Sequence, residues 1–362
     1  MRYCKGCGLP VPYGKFLEWT SDGTIIGNDS AHTRLVYLKV EDIRNMFRGI
    51  TQRIGVSVDQ YVAQAEKEVG KRFAKALVPG FVAHAPRGRI ARPEIGVKAA
   101  SHFIFNYMGG LGMGCAEMLE YRSGQGARIL IENSHYIPLV VGDGAGVFEF
   151  LERIPVTARW EPVGPDSYVV YVEKADQPQQ VELAQELALE KDASIPGDVQ
   201  FERCPKCKIP FLVSRSLYLD LDKGSLRNTV TGDREVALPV ESFHAVAKVL
   251  TSQFGAELPY LMEKLEQKHV RESSGVRYYA DVSGDKGMLG IFSDFTWRGV
   301  GNPVWAGNTA RGVEVVVDNP FHMGMVAGRV AGQYEAWTDS LVRSSWTEEA
   351  PGRLRVLIEP VA

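Results

Sequence analysis

The 362-residue chain repeats part of itself 200 residues further along. Between positions 4 and 55, 13 residues recur at that offset without a gap, whereas unrelated sequences of ordinary composition would share about three. The recurring residues include Cys4, Cys7, Pro10, Arg34 and Gly55, which match Cys204, Cys207, Pro210, Arg234 and Gly255. A second series, from Gly126 to Glu173, recurs at an offset of 186.

Each copy is much longer than the roughly 20–50 residues of the unit in a repeat array. We therefore predict an internally duplicated chain, with one domain at residues 1–174 and a second at residues 201–362, related by a pseudo-twofold axis. The intervening residues 175–200 are rich in Gln, Glu, Asp and Pro. They predict a helical linker, with its helix over Val181–Lys191.

Within each copy, a short strand is followed by apolar residues at helical spacing. These are Ile43, Phe47, Ile50 and Ile54 in the first copy, and Phe243, Ala247, Leu250 and Phe254 in the second. Each stripe ends at a glycine, where a left-handed cap carries little strain. The later block of each copy reads as strand, helix, strand, strand. Such mixing without regular alternation predicts an α+β fold with antiparallel strands and packed helices.

Composition excludes several classes of partner. The chain has 41 Lys and Arg against 44 Asp and Glu, a net charge of −3, which predicts no nucleic-acid partner. The longest apolar stretch, Ile137–Leu151, is interrupted by Gly and Asp before the roughly 20 residues that a membrane span needs. Because the first residues carry no apolar signal segment, we expect a cytoplasmic protein with reduced thiols.

Two Cys-x-x-Cys pairs are the clearest chemical signal. Cys4 and Cys7 form one pair, and Cys204 and Cys207 form the other. Each pair supplies half of a tetrahedral four-thiolate zinc site. We predict that the pairs meet and share one structural Zn²⁺ between the copies. The alternatives are pairs completed by other ligands or by a second chain, and metal-free or redox-active thiols.

Matching glycines and glutamates mark one helix in each copy. Gly142 and Gly146 correspond to Gly328 and Gly332. A dinucleotide-binding loop would need a further glycine at position 147, which is Val147. The glycines instead predict close packing of the helix on a sheet. Glu149 and its counterpart Glu335 predict a structural hydrogen bond to a strand, in preference to acid–base chemistry.

At this block the chain resembles the 4-vinyl reductase domain family, whose relatives include the small TRAPP tethering subunits. The resembling segments are Arg311–Asp318, Asn319–His322, Met325–Gly332, Tyr334–Glu335, Trp346 and Leu354–Glu359, with Asn133, Gly142, Gly146, Phe148, Glu149 and Trp160 in the first copy. The resemblance implies an α+β domain that binds small apolar molecules or docks partner proteins. The chain lacks the later cysteine cluster by which that family holds a metal beside its pocket.

The middle of each copy, where the copies differ most, is rich in aromatic residues and methionine. The candidate ligand-binding residues are Phe103, Phe105, Tyr107 and Met108 in the first copy, and Phe295, Trp297 and Trp305 in the second. Such segments are suitable walls for an apolar pocket or an interface, and core filling explains them about as well.

Taken together, these patterns predict a zinc-stabilised protein that binds or senses a small apolar molecule. One alternative is a TRAPP-like adaptor that docks a protein partner. An enzyme that uses an organic cofactor is less favoured, because the sequence carries no nucleophile elbow and no Cys/His spacing typical of catalysis.

Overall fold

The structure is a computed structural model in which the described residues are 3–10, 13–77, 93–176, 194–273 and 287–361. They form antiparallel sheets and packed helices, which confirms the predicted α+β class. The predicted linker helix over Val181–Lys191 lies outside the described residues.

The secondary structure alternates short β-hairpins with longer helices. The helices are α1 (Tyr13–Phe16), α2 (Val40–Ile54), α3 (Asp59–Leu77), α4 (Pro93–Gly110), α5 (Ile137–Glu152), α6 (Phe211–Ser216), α7 (Val240–Phe254), α8 (Leu258–Ser273), α9 (Phe295–Arg298) and α10 (Met323–Thr338). The strands are β1 (Leu17–Trp19), β2 (Ile25–Gly27), β3 (Arg34–Lys39), β4 (Cys115–Arg122), β5 (Gly126–Glu132), β6 (Val156–Gly164), β7 (Ser167–Lys174), β8 (Leu217–Asp220), β9 (Ser225–Asn228), β10 (Arg234–Pro239), β11 (Asn302–Asn308), β12 (Val313–Asp318), β13 (Val342–Ala350) and β14 (Arg353–Pro360).

A six-stranded sheet built from both halves of the chain lies at the centre. Its strand order is β1-β2-β3-β10-β9-β8, so β3 of the first half pairs with β10 of the second. The pairing is antiparallel and places Tyr37 opposite Ala237, with Val36 opposite Leu238 and Leu38 opposite Val236. Residues that are 200 apart in sequence therefore meet at the middle of the ladder. All of these side chains are buried, so the junction belongs to the core.

Each half adds a four-stranded sheet of its own. The first has the order β4-β5-β7-β6 and the second the order β11-β12-β14-β13. The two orders correspond strand for strand along the chain. Ahead of these sheets the halves differ, because α4 precedes β4 whereas a 3-10 helix at Gly287–Phe292 and the short α9 precede β11. A common origin of the halves and the domain boundaries at residues 174 and 201 stay predictions.

Arginine side chains tie each half to the other. The Arg34 guanidinium donates to the backbone carbonyl of Asn319, and the Arg234 guanidinium donates to that of Asn133. Both asparagines have a left-handed backbone, with φ of 54° at Asn133 and 52° at Asn319. These residues belong to the repeated pairs in the sequence, so equivalent residues make equivalent contacts across the junction.

The helix that follows the central strand packs as its sequence pattern predicts. Ile43, Phe47 and Ile50 are buried, and α2 ends at Gly55, whose φ is 81° and whose N–H donates to the carbonyl of Thr51.

The glycines of α5 pack against a helix, so the predicted packing of this helix face on a sheet is wrong. A Cβ at Gly146 would lie 2.1 Å from the carbonyl oxygen of Lys67, which is on α3. The glycines therefore allow close contact between two helices.

This contact predicts opposite effects for two neighbouring glycines of α5. Gly146→Ala should lower the free energy of unfolding by about 1–3 kcal/mol, because the added methyl group overlaps the backbone of α3. Gly144→Ala is the matched control, since a Cβ there meets no atom within 4 Å. It should be neutral or stabilising by up to about 1 kcal/mol through helix propensity. Chemical denaturation of both variants provides the measurement, and equal effects would contradict the helix contact.

Candidate metal centre and apolar cavity

Each cysteine pair lies in a tight turn closed by an antiparallel bridge. Tyr3 pairs with Pro10 around the first turn, and Arg203 pairs with Pro210 around the second. The same backbone hydrogen bonds recur in both turns: the N–H of Cys4 donates to Leu9 and that of Cys204 to Ile209, at 2.7 and 2.9 Å. These turns direct both thiols of a pair towards one point, as zinc knuckles do.

The two turns bring four thiols together. The Sγ atoms of Cys4, Cys7, Cys204 and Cys207 all lie within 4.8 Å of one another. The Sγ–Sγ distance is 3.8 Å between Cys4 and Cys204, and 3.3 Å between Cys7 and Cys207. Bonds of about 2.3 Å in tetrahedral geometry would separate the sulfurs by about 3.8 Å. The predicted meeting of the pairs is thus observed, and the four residues could hold a metal ion.

Backbone N–H groups favour the thiolate form of one cysteine in each pair. The N–H of Gly6 lowers the pKa of Cys4 to about 6, and the N–H of Cys207 lowers the pKa of Cys204. Burial raises the pKa of Cys7 and of Cys207. A bound cation would offset this second effect, because metal coordination deprotonates thiols outright. Gly6 is also required sterically, since a Cβ there would lie 2.7 Å from the Sγ of Cys204.

Removal of one knuckle should abolish metal binding. We expect the unaltered chain to bind one metal ion per chain, and Cys204→Ser with Cys207→Ser to bind none and to have a lower melting temperature. Cys115→Ser is the matched control, because Cys115 lies outside the cluster, with its Sγ 3.1 Å from the carbonyl of Asp222. Elemental analysis and thermal unfolding, with and without a chelator, measure both effects. Two ions per chain, or a Cys204/Cys207 variant that keeps its metal, would contradict the shared site.

The predicted ligand residues of the first half are distributed around α4. Phe105 and Met108 line an apolar cavity of about 50 Å³. Tyr107 is buried between the rings of Phe16 and Phe73, at centroid distances of 5.4 and 5.3 Å. Phe103 is 43% exposed and lies against Phe16. The other cavity residues are Phe73, Val97, Ser101, Ile104, Met113, Met118, Ile129, Asp143, Gly144, Val147, Phe148, Leu151 and Pro239.

The predicted residues of the second half lie elsewhere. Phe295 and Trp297 are buried near the central sheet, where the indole of Trp19 donates to the carbonyl of Trp297 at 2.8 Å. Trp305 is 43% exposed on β11. None of the three is among the residues that line the cavity beside α4. The structure thus groups Phe105 with Met108 and separates them from the second set.

Glu149 and Glu335 form the structural hydrogen bonds that the sequence predicts. Glu149 accepts a hydrogen bond from the N–H of Val156 at 3.1 Å, and Glu335 accepts one from Val342 at 2.9 Å. Val156 and Val342 are the first residues of β6 and β13. Each carboxylate therefore joins the end of a helix to the start of the following strand.

Sequence reasoning missed the acidic residues at the cavity. Asp143 lies between the glycines of α5 and lines the cavity, and the side chain of Glu66 on α3 is next to it. Burial raises the pKa of Asp143 to about 7, and burial with the nearby Asp143 charge raises that of Glu66 well above its usual range. The repeat could have drawn attention to Asp143, because the equivalent residue in the second copy is the oppositely charged Arg329.

The raised pKa of Asp143 predicts a pH-dependent loss of stability. The folded chain holds this proton more tightly than the unfolded chain, whose aspartates titrate near pH 4. Stability should therefore fall as the pH rises from about 4 to about 7, the pKa of Asp143 in the folded chain. Asp143 faces Glu66, and Glu66 in turn has Ser242 and Glu241 as neighbours. Asp143→Asn should remove this component, so its stability relative to the unaltered chain should increase across that range. Parallel pH profiles in denaturation experiments would contradict the assignment.

Comparisons with family models, curated proteins and solved structures give no match. Among the described residues, none of the helices combines the length and the apolar character needed to cross a bilayer.

Proposed function

We propose that the chain binds a small apolar molecule in the cavity beside α4, and that a structural zinc ion holds the two halves together. The apolar cavity supports the first part of this proposal, the binding of a small molecule. Its wall is aromatic and aliphatic apart from Ser101 and Asp143, and it includes Met108, Met113 and Met118. Methionine side chains adapt their shape to a ligand, which suits a wall that must close around a small molecule.

The cluster of four cysteines supports the second part of the proposal, a structural zinc ion. Four sulfur ligands in tetrahedral geometry select zinc or an iron–sulfur cluster among biological metal centres. Paired knuckles of this kind favour a single Zn²⁺, with no coordination position left for a substrate. Zinc would act here by stabilising the fold, since it would join the start of the chain to its middle. Replacement by Co²⁺ should give the thiolate charge-transfer absorption of a tetrahedral site.

A chain of contacts connects the metal centre with the cavity wall. The first knuckle is followed by α1, which ends at Phe16. The Phe16 ring contacts Tyr107 of α4 at a centroid distance of 5.4 Å. Met108, which follows Tyr107, and Phe105, two residues before it, line the cavity. Loss of the metal should therefore loosen α4 and weaken ligand binding, in addition to lowering stability.

The resemblance to the 4-vinyl reductase domain supports the same proposal, since it implies a domain that binds small apolar molecules. The related adaptor function would instead use a shallow exposed face. An apolar cavity that includes Phe105 and Met108, two of the seven predicted ligand residues, favours ligand binding over the adaptor.

Xenon provides a direct test, because it enters small dry apolar cavities. We expect it to shift the methyl NMR signals of Met108, Met113 and Met118, and to leave the buried Met46, outside the cavity wall, unchanged. Gly144→Leu should weaken this binding at least tenfold, because its side chain would extend from an open position on the cavity wall. Trp305→Ala is the control and should bind like the unaltered chain. No xenon-dependent shift, or the same shift in Gly144→Leu, would contradict the proposal.

A further inference from the structure

The second half contains a buried ion cluster between α8 and α10. The Arg329 guanidinium donates to Glu266 at 2.6 Å and lies 3.4 Å from a carboxylate oxygen of Asp42. All three side chains are less than 5% exposed. Asp42 is on α2 of the other half, so the cluster joins both halves. Here one cation compensates two buried carboxylates, which would otherwise be strongly disfavoured.

The first half has the same arrangement without the cation. Glu66 on α3 is equivalent to Glu266, and Ser242 on α7 is equivalent to Asp42, each at the offset of 200. The Ser242 hydroxyl donates to Glu66 at 2.7 Å. Position 143, equivalent to Arg329, is an aspartate. Where the second half places a guanidinium, the first half therefore places another carboxyl group.

The local packing shows that the two clusters occupy equivalent places. A Cβ at Gly142 would lie 2.6 Å from the Cβ of Glu66, and one at Gly328 would lie 3.0 Å from the Cβ of Glu266. The glycine beside each cluster thus contacts the same glutamate position. The two halves therefore have similar helix packing at this position and differ in its charge, with Arg329 in one and Asp143 in the other.

Glu66 is left with unused capacity to accept hydrogen bonds. It is 1% exposed, and its Oε2 atom receives no hydrogen bond from an N–H or hydroxyl group in the described part of the chain, as is also true of Glu266 Oε2. A side-chain hydrogen bond joins Glu66 to Asp143, so the two carboxyl groups share a proton. The neighbouring lysines are already paired: Lys67 and Lys71 lie 2.6 and 2.5 Å from Glu149. Two adjacent carboxyl groups in such a place disfavour joint ionisation and favour a cation beside them.

The position of Asp143 connects this acidic pair with the cavity. Asp143 lines the apolar cavity, whereas Arg329 is enclosed by Glu266 and Asp42. A molecule in the cavity would therefore meet apolar side chains over most of its surface and Asp143 at one place in the wall, with Glu66 behind it.

We propose that the ligand of this cavity is a small organic cation, in which an ammonium or guanidinium-like head group binds at Glu66 and Asp143 and an apolar body contacts Phe105 and Met108. This inference rests on the proposed apolar-ligand function and specifies its ligand class. The head group takes the place that the Arg329 guanidinium takes in the second half. Hydrogen bonds to ionised partners are the stronger ones, so the charge should dominate the selectivity.

Ethylamine and ethanol form a probe pair of matched size that suits a cavity of about 50 Å³, and the methyl NMR signals of Met108, Met113 and Met118 report their binding. At neutral pH we expect the amine to bind the unaltered chain at least tenfold more tightly than the alcohol. Asp143→Asn, which keeps the side-chain shape, should reduce this preference to less than threefold. Glu66→Gln is the second variant should Asp143→Asn fail to fold, and we expect the same loss of preference.

Asp143→Arg tests the internal comparison. It gives the first half the residue of the second, and the new guanidinium should pair with Glu66, abolish amine binding and raise the melting temperature. Glu117→Gln is the control for long-range charge, because Glu117 is exposed on β4 beside the cavity residue Met118. It removes the same formal charge as Asp143→Asn and should leave the amine preference unchanged.

The outcomes separate the two proposals. If xenon shifts the methionine signals but amine and alcohol bind equally, the cation inference is overturned and the apolar-ligand function is retained. If neither xenon nor either probe binds, the proposed function itself fails. An amine preference that persists in both Asp143→Asn and Glu66→Gln would also overturn the inference, because it would place the cation elsewhere.

Discussion

The backbone pairing of β3 with β10 is the constraint on which the rest of the structure depends. Antiparallel pairing with Tyr37 opposite Ala237 places equivalent parts of the two halves at equal distances from one point. The cysteine turns precede these strands by the same number of residues, so they meet on one side of the junction. The helices α2 and α7 follow the strands, so each carries its side chains into the opposite half. The metal centre and both buried polar clusters are consequences of this register.

Features set by local pattern could be predicted from the sequence. The apolar stripe of α2 and its glycine cap follow from helical periodicity, which needs no knowledge of the partner element. The hydrogen bonds of Glu149 and Glu335 were predictable because a buried carboxylate requires a donor and both copies keep it at the same place. The meeting of the cysteine pairs was predictable only through the repeat, since a four-thiolate site needs two pairs.

Features set by tertiary contacts were not predictable in the same way. Glycine spacing on α5 indicates a face that permits close approach, but it does not distinguish a helix from a sheet as the partner. The aromatic segments show the same limit. Phe105 faces the cavity, whereas Phe295 packs in the core, because position relative to α3 and the central sheet decides which surface is covered. The repeat marks a change of charge at Asp143, but the acidic pair that it forms could be recognised only from its contact with Glu66, which is distant in sequence.

Asp143 and Arg329 occupy equivalent positions in the two halves but carry opposite charges. In the second half Arg329 forms ion pairs with Glu266 and Asp42, and all three residues are buried. In the first half, Ser242 in place of Asp42 removes one buried charge, so the frame tolerates a second carboxyl at position 143. In the proposed site, the buried Asp143 carboxyl beside Glu66 would cost folding free energy until a cation binds it. In the proposed site, binding of a cation would therefore be coupled to the packing of α3 on α5, which is the coupling that a ligand sensor would need.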